Sequence, residues 1–370
     1  MKAFFLRHRK LHIWLLAELV LLAVFFAVRK NGAWMTALTQ HISNPFRRAL
    51  GGLSYRVRFS VMEVLCILLL VFIAAYLIAS IAVIVRSGGR RKRRIYSALL
   101  GAVCTGLTIW GAFCWLWGVQ YEAEGFQARS GIYAEDVTLN DLTAVTQYFA
   151  DRLAETEDRV QRDENGFFSV PRSDILAEST QVYGVVSKRF PFLAFDDQPP
   201  KAVHFSRIMS LLDFTGVYCP LTGESNVNID SPAVFLPVTA AHEMAHQRGI
   251  ASEQECNFIA ILASTSCNLP DYAYSGWLFG YVYLGNALYS ADHDRWSEIY
   301  GGLPETVRAD LKNNNDYWAQ FRDSAAKKVS NKIYDRLLKS YGDKNGMKSY
   351  GMVVDLLVAY YKGSEPEDHL

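Results

Sequence analysis

The stretch AAHEMAHQRGIASEQECNF, residues 240–258, holds two histidines four positions apart, with a glutamate directly after the first. Pro237 suits the first turn of a helix and Gly249 its C-terminal stop, which places His242, Glu243 and His246 on one helix of about twelve residues. Positions i and i+4 share a helical face, so both imidazoles can reach a single ion. Glu243 is turned about 100° from His242 around the helix. There it can touch a water at that ion without replacing a ligand. Three protein ligands and one water is the pattern of catalytic zinc, whereas closed structural sites use four ligands, commonly with cysteine.

The residues that follow offer the third ligand. Ser252 with Glu255 makes a capping box that opens a second helix. Glu253 and Asn257 then share a face one turn apart, so Glu253 is the expected third zinc ligand and Asn257 would steady a ligand histidine from behind. Glu255 is the alternative ligand. Its capping role would turn its carboxylate back toward the helix start, which favours Glu253. A histidine at position 252 would be needed for the HExxHxxGxxH pattern, and serine stands there.

Working outward, the 370-residue chain has a net charge of only +1, which offers no global basic field for nucleic acid. That balance hides an asymmetry. Three apolar runs, at 11–28, 61–85 and 96–119, lie in the first 119 residues, and each approaches or exceeds the roughly 20 residues that a bilayer crossing needs. The first follows a basic leader but lacks a small-x-small cleavage site, so it reads as a retained signal anchor. The dense cluster of Arg86, Arg90, Arg91, Lys92, Arg93 and Arg94 assigns the loop between the second and third runs to the cytoplasm. Lys2, Arg7, Arg9 and Lys10 place the N-terminus there as well. Six basic residues spread over 29–60 argue the other way, but parity with the dense cluster outweighs them. Three crossings leave residues 120–370 outside the cytoplasm. Cys66, Cys104 and Cys114 fall in the apolar runs, and Cys219, Cys256 and Cys267 are an odd set that implies no disulfide framework.

The expected fold is mainly α: a three-helix transmembrane anchor (1–119), a mostly helical zincin-like domain with a small sheet (120–363), and an acidic tail (364–370). Within the domain, 139–162 reads as an amphipathic helix, and Ser173 as the N-cap of a helix running to about Arg189. SNVNI (225–229) reads as a strand, and the GVYCPLTGE stretch before it as a turn with an edge strand, or as the strand that receives an extended peptide. The run at 273–291 is nearly long enough to span, but its tyrosines, Asn286 and small polar breaks favour a buried core helix over a fourth crossing. His204 and His293 lack partners at ligand spacing. Glu18, inside the first apolar run, reads either as a functional carboxylate or as a neutral or paired one.

Several stretches together resemble a bacterial membrane-protein family, domain of unknown function 3810, regarded as zincin-like. These are NPFRRALGGL with RFSVMEVL, TGVYCPLTGESNVN, HEMAHQRGIASEQECNF, YSGWL (274–278) and SYGMVVDLL (349–357). The resemblance implies a membrane-anchored domain bearing HExxH outside the membrane, with no substrate assigned. Glu253 to Asn257 is also similar to the E-x-x-A-D or E-x-x-A-N pattern of gluzincin peptidases, in which the glutamate is the third ligand. Cys256 replaces the alanine, Asn257 stands where aspartate is common, and the gap from His246 to Glu253 is shorter than usual.

The expected activity is zinc-dependent peptide hydrolysis with Glu243 as general base and His242, His246 and Glu253 as ligands. The expected partners are the lipid bilayer and a peptide or protein substrate. Tyr350 and Tyr218 are candidates for the oxyanion partner. Two alternatives remain open: a non-catalytic sensor or scaffold with a structural zinc site, and a zinc amidase acting on cell-wall peptides. VFLPVTAAHEMAHQRG is too short and polar to cross a bilayer, which disfavours an intramembrane protease.

Overall fold

The structure, a computed structural model, describes residues 7–134, 137–340 and 351–362. It divides into two compact units, one of Met1–Ala123 with Pro220–Gly223, the other of Glu124–Cys219 with Glu224–Leu370.

The first unit contains α1 (Arg9–Val28), α2 (Gly32–Leu38), α3 (Asn44–Ser54), α4 (Val61–Val85) and α5 (Arg91–Leu116). Three helical stretches, Arg9–Val28, Val61–Val85 and Gly88–Leu116, are long and apolar enough to cross a membrane. The third begins earlier than the apolar run, because Arg and Lys are good helix formers and the basic cluster continues the helix. No residue of α4 is buried, although it is apolar all round, as befits a helix solvated by lipid. Along α1 and α5, Glu18 is buried and hydrogen-bonded: its Oε1 accepts from Thr108 Oγ1 at 2.6 Å and from Trp14 Nε1 at 3.1 Å. A carboxyl in an apolar helix is thereby supplied with polar neighbours.

The second unit is helical around a three-stranded sheet. Its elements are α6 (Phe126–Ser130), α7 (Leu139–Thr156), β1 (Lys201–Ala202), β2 (Gly216–Cys219), β3 (Glu224–Val227), α8 (Leu236–Gln247), α9 (Glu253–Ser266), α10 (Pro270–Ala291), α11 (His293–Gly302), α12 (Glu305–Ala319), α13 (Ala325–Ser340) and α14 (Gly351–Tyr361), with short helical turns between. Mainly helical, with a small sheet: the expected class holds.

α10 is the core helix. Tyr272, Tyr274, Leu278, Leu284 and Leu288 are fully buried along it. Gly280 lets α7 approach closely, since a Cβ there would lie 2.2 Å from Cε1 of Phe149. Its hydroxyls find partners inside the protein: Tyr272 donates to the Ile175 carbonyl at 2.7 Å, Ser275 to the Val234 carbonyl at 2.7 Å, and Tyr274 to Asp310 at 2.7 Å. These internal bonds explain how so polar a set of side chains fills a core.

Local expectations are corrected in two places. α7 stops at Thr156, and Arg162, expected on it, pairs with Phe168 in an isolated bridge while its guanidinium donates to Asp310 at 2.9 Å. Ser173 is not an N-cap. It sits inside a short helix, Arg172–Glu178, whose Pro171 occupies the cap position, and regular helix is interrupted before Val186–Arg189. A proline cap makes no side-chain bond, so the turn relies on packing of Ile175 instead. The strand expected at SNVNI (225–229) spans Glu224–Val227 and is central in the order β1-β3-β2, while GVYC before it forms the edge strand β2, as expected. β3 pairs in parallel with β1 and antiparallel with β2.

Candidate metal centre

α8 begins with Pro237 in its first turn and ends in a Schellman turn. Ile250 N–H donates to the Ala245 carbonyl at 3.3 Å and Gly249 N–H to the His246 carbonyl at 3.0 Å. Gly249 has φ 88°, a left-handed conformation that glycine adopts without a Cβ penalty. This turn has a chemical consequence. It brings the Ile250 carbonyl back to His246 Nδ1 at 2.8 Å. A carbonyl can only accept, so the hydrogen resides on Nδ1 and the other nitrogen, Nε2, is the one available as a ligand.

α9 starts at Ser252, whose Oγ accepts from Glu255 N–H at 3.4 Å. Its first residue, Glu253, points its carboxylate at the histidines. Oε2 lies 3.1 Å from His242 Nε2 and 3.7 Å from His246 Nε2. The two imidazole rings are 4.9 Å apart and nearly perpendicular, at 82°. One ligand atom from each of His242, His246 and Glu253 lies within 4.8 Å of the others. Two imidazoles and one carboxylate are a donor set suited to zinc and related divalent ions, and three protein donors would leave a fourth coordination position to water or substrate. The residues present fit a metal.

Burial opposes the charge on Glu253, but His246 and His242 outweigh it and hold its carboxyl well below the usual range. Burial likewise opposes an imidazolium at His246, yet Cys256 and Glu253 raise its pKa well above that of an ordinary histidine. A metal at these donors would compete with protons for the same atoms.

Glu243 stands apart from this set. It is buried, and its Oε2 has no hydrogen-bond partner. Burial pushes its carboxyl up to about 7, helped by the nearby Glu253 charge and opposed by His242 and His246. The carboxylate occupies space left by the missing side chain of Gly216 on β2: a Cβ there would be 2.3 Å from Oε1. Ser225 on β3 donates to the Glu243 carbonyl at 2.8 Å and accepts from Gln247 Nε2 at 2.9 Å, tying α8 to the sheet.

The other expected residues fall elsewhere. Glu255 turns away from the histidines, and its two oxygens accept the Phe126 and Gln127 N–H groups at 2.8 and 3.1 Å. It caps α6, not its own helix start, so only the Ser252 half of the expected capping box forms. Asn257, expected behind a ligand histidine, donates to the Tyr283 hydroxyl at 2.9 Å. The neighbours of His246 Nδ1 are the Ile250 carbonyl and Cys256 Sγ, the latter at 3.3 Å. The Tyr218 ring lies 6.4 Å from that of His246. Tyr350 and the 364–370 tail lie outside the described residues. His204 packs on Phe205, and His293 on Tyr289 and Trp296, away from the cluster. Gly216 and the Ile250 carbonyl were missed because glycine and backbone carry no side-chain signature. The left-handed Gly249 was the one sequence cue to the turn.

Residues 38–358 match the profile of a family described as protein of unknown function, DUF3810. No curated protein and no solved structure matches the chain.

Proposed function

This chain belongs to the DUF3810 family of proteins of unknown function, and we propose that it is a membrane-anchored, zinc-dependent peptide hydrolase. Residues 1–119 serve as its anchor and 120–363 as its hydrolytic domain, with the N-terminus in the cytoplasm and that domain on the opposite side. His242, His246 and Glu253 would hold the metal. When bound, zinc supplies Lewis acidity, which acidifies water and polarises a carbonyl.

The observation that carries this reading is the Glu243 carboxyl. A buried polar atom left without a partner costs about 1–3 kcal/mol, and Oε2 of Glu243 is such an atom beside the cluster. A site that only stabilises a fold gains nothing from that cost. In hydrolysis the atom has work: Oε2 takes a proton from the attacking water as the new C–O bond forms. It then delivers the proton to the departing amine as the C–N bond breaks. β2, at the edge of the sheet order β1-β3-β2, carries Gly216 beside Glu243 and Tyr218 near His246. That placement suits an extended peptide laid along the strand.

Glu243→Gln tests the proposal. The variant should fold and retain metal, because Glu243 is not among the three donors. Hydrolysis should fall by about 10²–10⁴-fold, the usual loss with a general base. Metal content, thermal unfolding and turnover of peptide and cell-wall libraries would be measured on one preparation of full-length protein. Undiminished turnover in the variant removes Glu243 from the chemistry. A metal-loaded wild type inactive on both libraries supports a scaffold, and activity confined to cell-wall peptides supports the amidase.

A further inference from the structure

Among the described residues, the first unit carries an apolar helical face that is exposed. Ile42, Phe46, Ala49 and Leu53 are spaced four, three and four positions apart through the π turn at Thr39–Ser43 and along α3. This spacing puts them on one side of a helix. Ile42, Phe46 and Leu53 are 61%, 51% and 58% exposed, and Ala49 is exposed as well. Arg48, about 200° round from Phe46, faces the opposite direction and is also exposed. A third face is buried, with Ser43, Arg47, Gly51 and Ser54 turned inward.

The inward face fixes the height of this helix. Ser43 Oγ donates to the carbonyl of Leu116, the last residue of α5, at 2.6 Å. Gln120 Nε2 donates to Asn44 Oδ1 at 2.7 Å, and the Arg47 guanidinium lies 4.9 Å over the Trp117 ring. Each of these partners sits at or just beyond the end of the third candidate span. Chain continuity gives the same answer independently. α1 ends at Val28 and α4 begins at Val61. Successive crossings alternate direction, so the end of α1, the start of α4 and the end of α5 lie at one membrane face, whichever face that is. The α2–α3 segment is tethered at that boundary from both sides and from beneath.

We propose that α3, with the π turn before it, is an interfacial helix lying in the plane of the bilayer. Ile42, Phe46, Ala49 and Leu53 enter the boundary between headgroups and acyl chains, and Arg48 faces water. An amphipathic helix held at this height has lipid as its apolar neighbour. Trp34, 68% exposed on α2, belongs to the same belt, where indoles favour the membrane–water boundary.

The test places the photoreactive residue p-benzoylphenylalanine at Ile42, Phe46, Leu53 or Arg48 of the full-length protein in native membranes. Irradiation and mass spectrometry then identify what each position reaches. Phospholipid adducts are expected at the first three positions and their loss at the fourth. Size-exclusion profiles matching wild type after extraction show that each variant is folded, and the three apolar positions serve as independent replicates. Adducts between copies of the chain from Phe46 and Leu53 overturn the proposal in favour of a self-association face. Absence of lipid adducts at all three apolar positions overturns it, as do equal adducts at Arg48.

Discussion

A Cβ at Gly216 would stand 2.3 Å from Oε1 of Glu243, far inside van der Waals contact. The neighbouring atom belongs to a buried side chain. Gly216→Ala should therefore displace the carboxyl that we assign to proton transfer while leaving the three metal donors in place. Misplacement by about 1 Å costs on the order of 100-fold in rate, so turnover should fall by about that factor. Metal content and unfolding temperature should stay close to wild type. Full activity in the alanine variant would show that Glu243 tolerates the shift, or takes no part. At this scale the sequence was legible where chemistry resides in side chains: His242, Glu243, His246 and Glu253 announce themselves by type and spacing. It was silent at Gly216, where the feature is a missing side chain.

Two carboxylates two positions apart on α9 go opposite ways. Glu253 approaches both histidines, and Glu255 accepts two N–H groups at the start of α6. Their roles should separate in variants. Glu253→Gln should lower metal content sharply with a modest change in apo stability. Glu255→Gln should keep the metal but lose charge-assisted capping, at about 1–2 kcal/mol of stability. Elemental analysis and thermal unfolding of both variants provide the check. Metal loss in Glu255→Gln with retention in Glu253→Gln would reverse the ligand assignment. Element types were readable here, because α8, α9 and α10 follow from caps, glycine stops and apolar content within each segment. Element ends were less so. Arg162 leaves the α7 pattern for Asp310, 148 positions away, and no local periodicity reports such a partner.

At the scale of the whole molecule, three helices suited to membrane crossing precede a mainly helical unit. We assign the loop holding Arg86 and Arg90–Arg94 to the cytoplasm because basic loops are retained there. With three crossings, that assignment would place the C-terminal unit on the opposite side of the membrane. Alkaline phosphatase fused after Leu370 should be active, and a fluorescent protein that folds only inside the cell should be dark at the same position. The opposite pair of results would invert the orientation. It would also remove extracytoplasmic peptides from the substrate class.

The crossings and the His–Glu–His spacing were determined by the sequence itself, since both are properties of short contiguous segments. A bilayer demands a length of apolar residues, and one helical turn puts positions four apart on one face. Tertiary structure decided the rest. It made the SNV segment a central strand, gave Asn257 to Tyr283, and set Gly216 against Glu243. It also turned Glu255 toward Phe126, a residue 129 positions earlier in the chain. Each of these outcomes depends on which distant segment arrives as a neighbour. That choice belongs to the packing of the whole core, and no single window of sequence contains it.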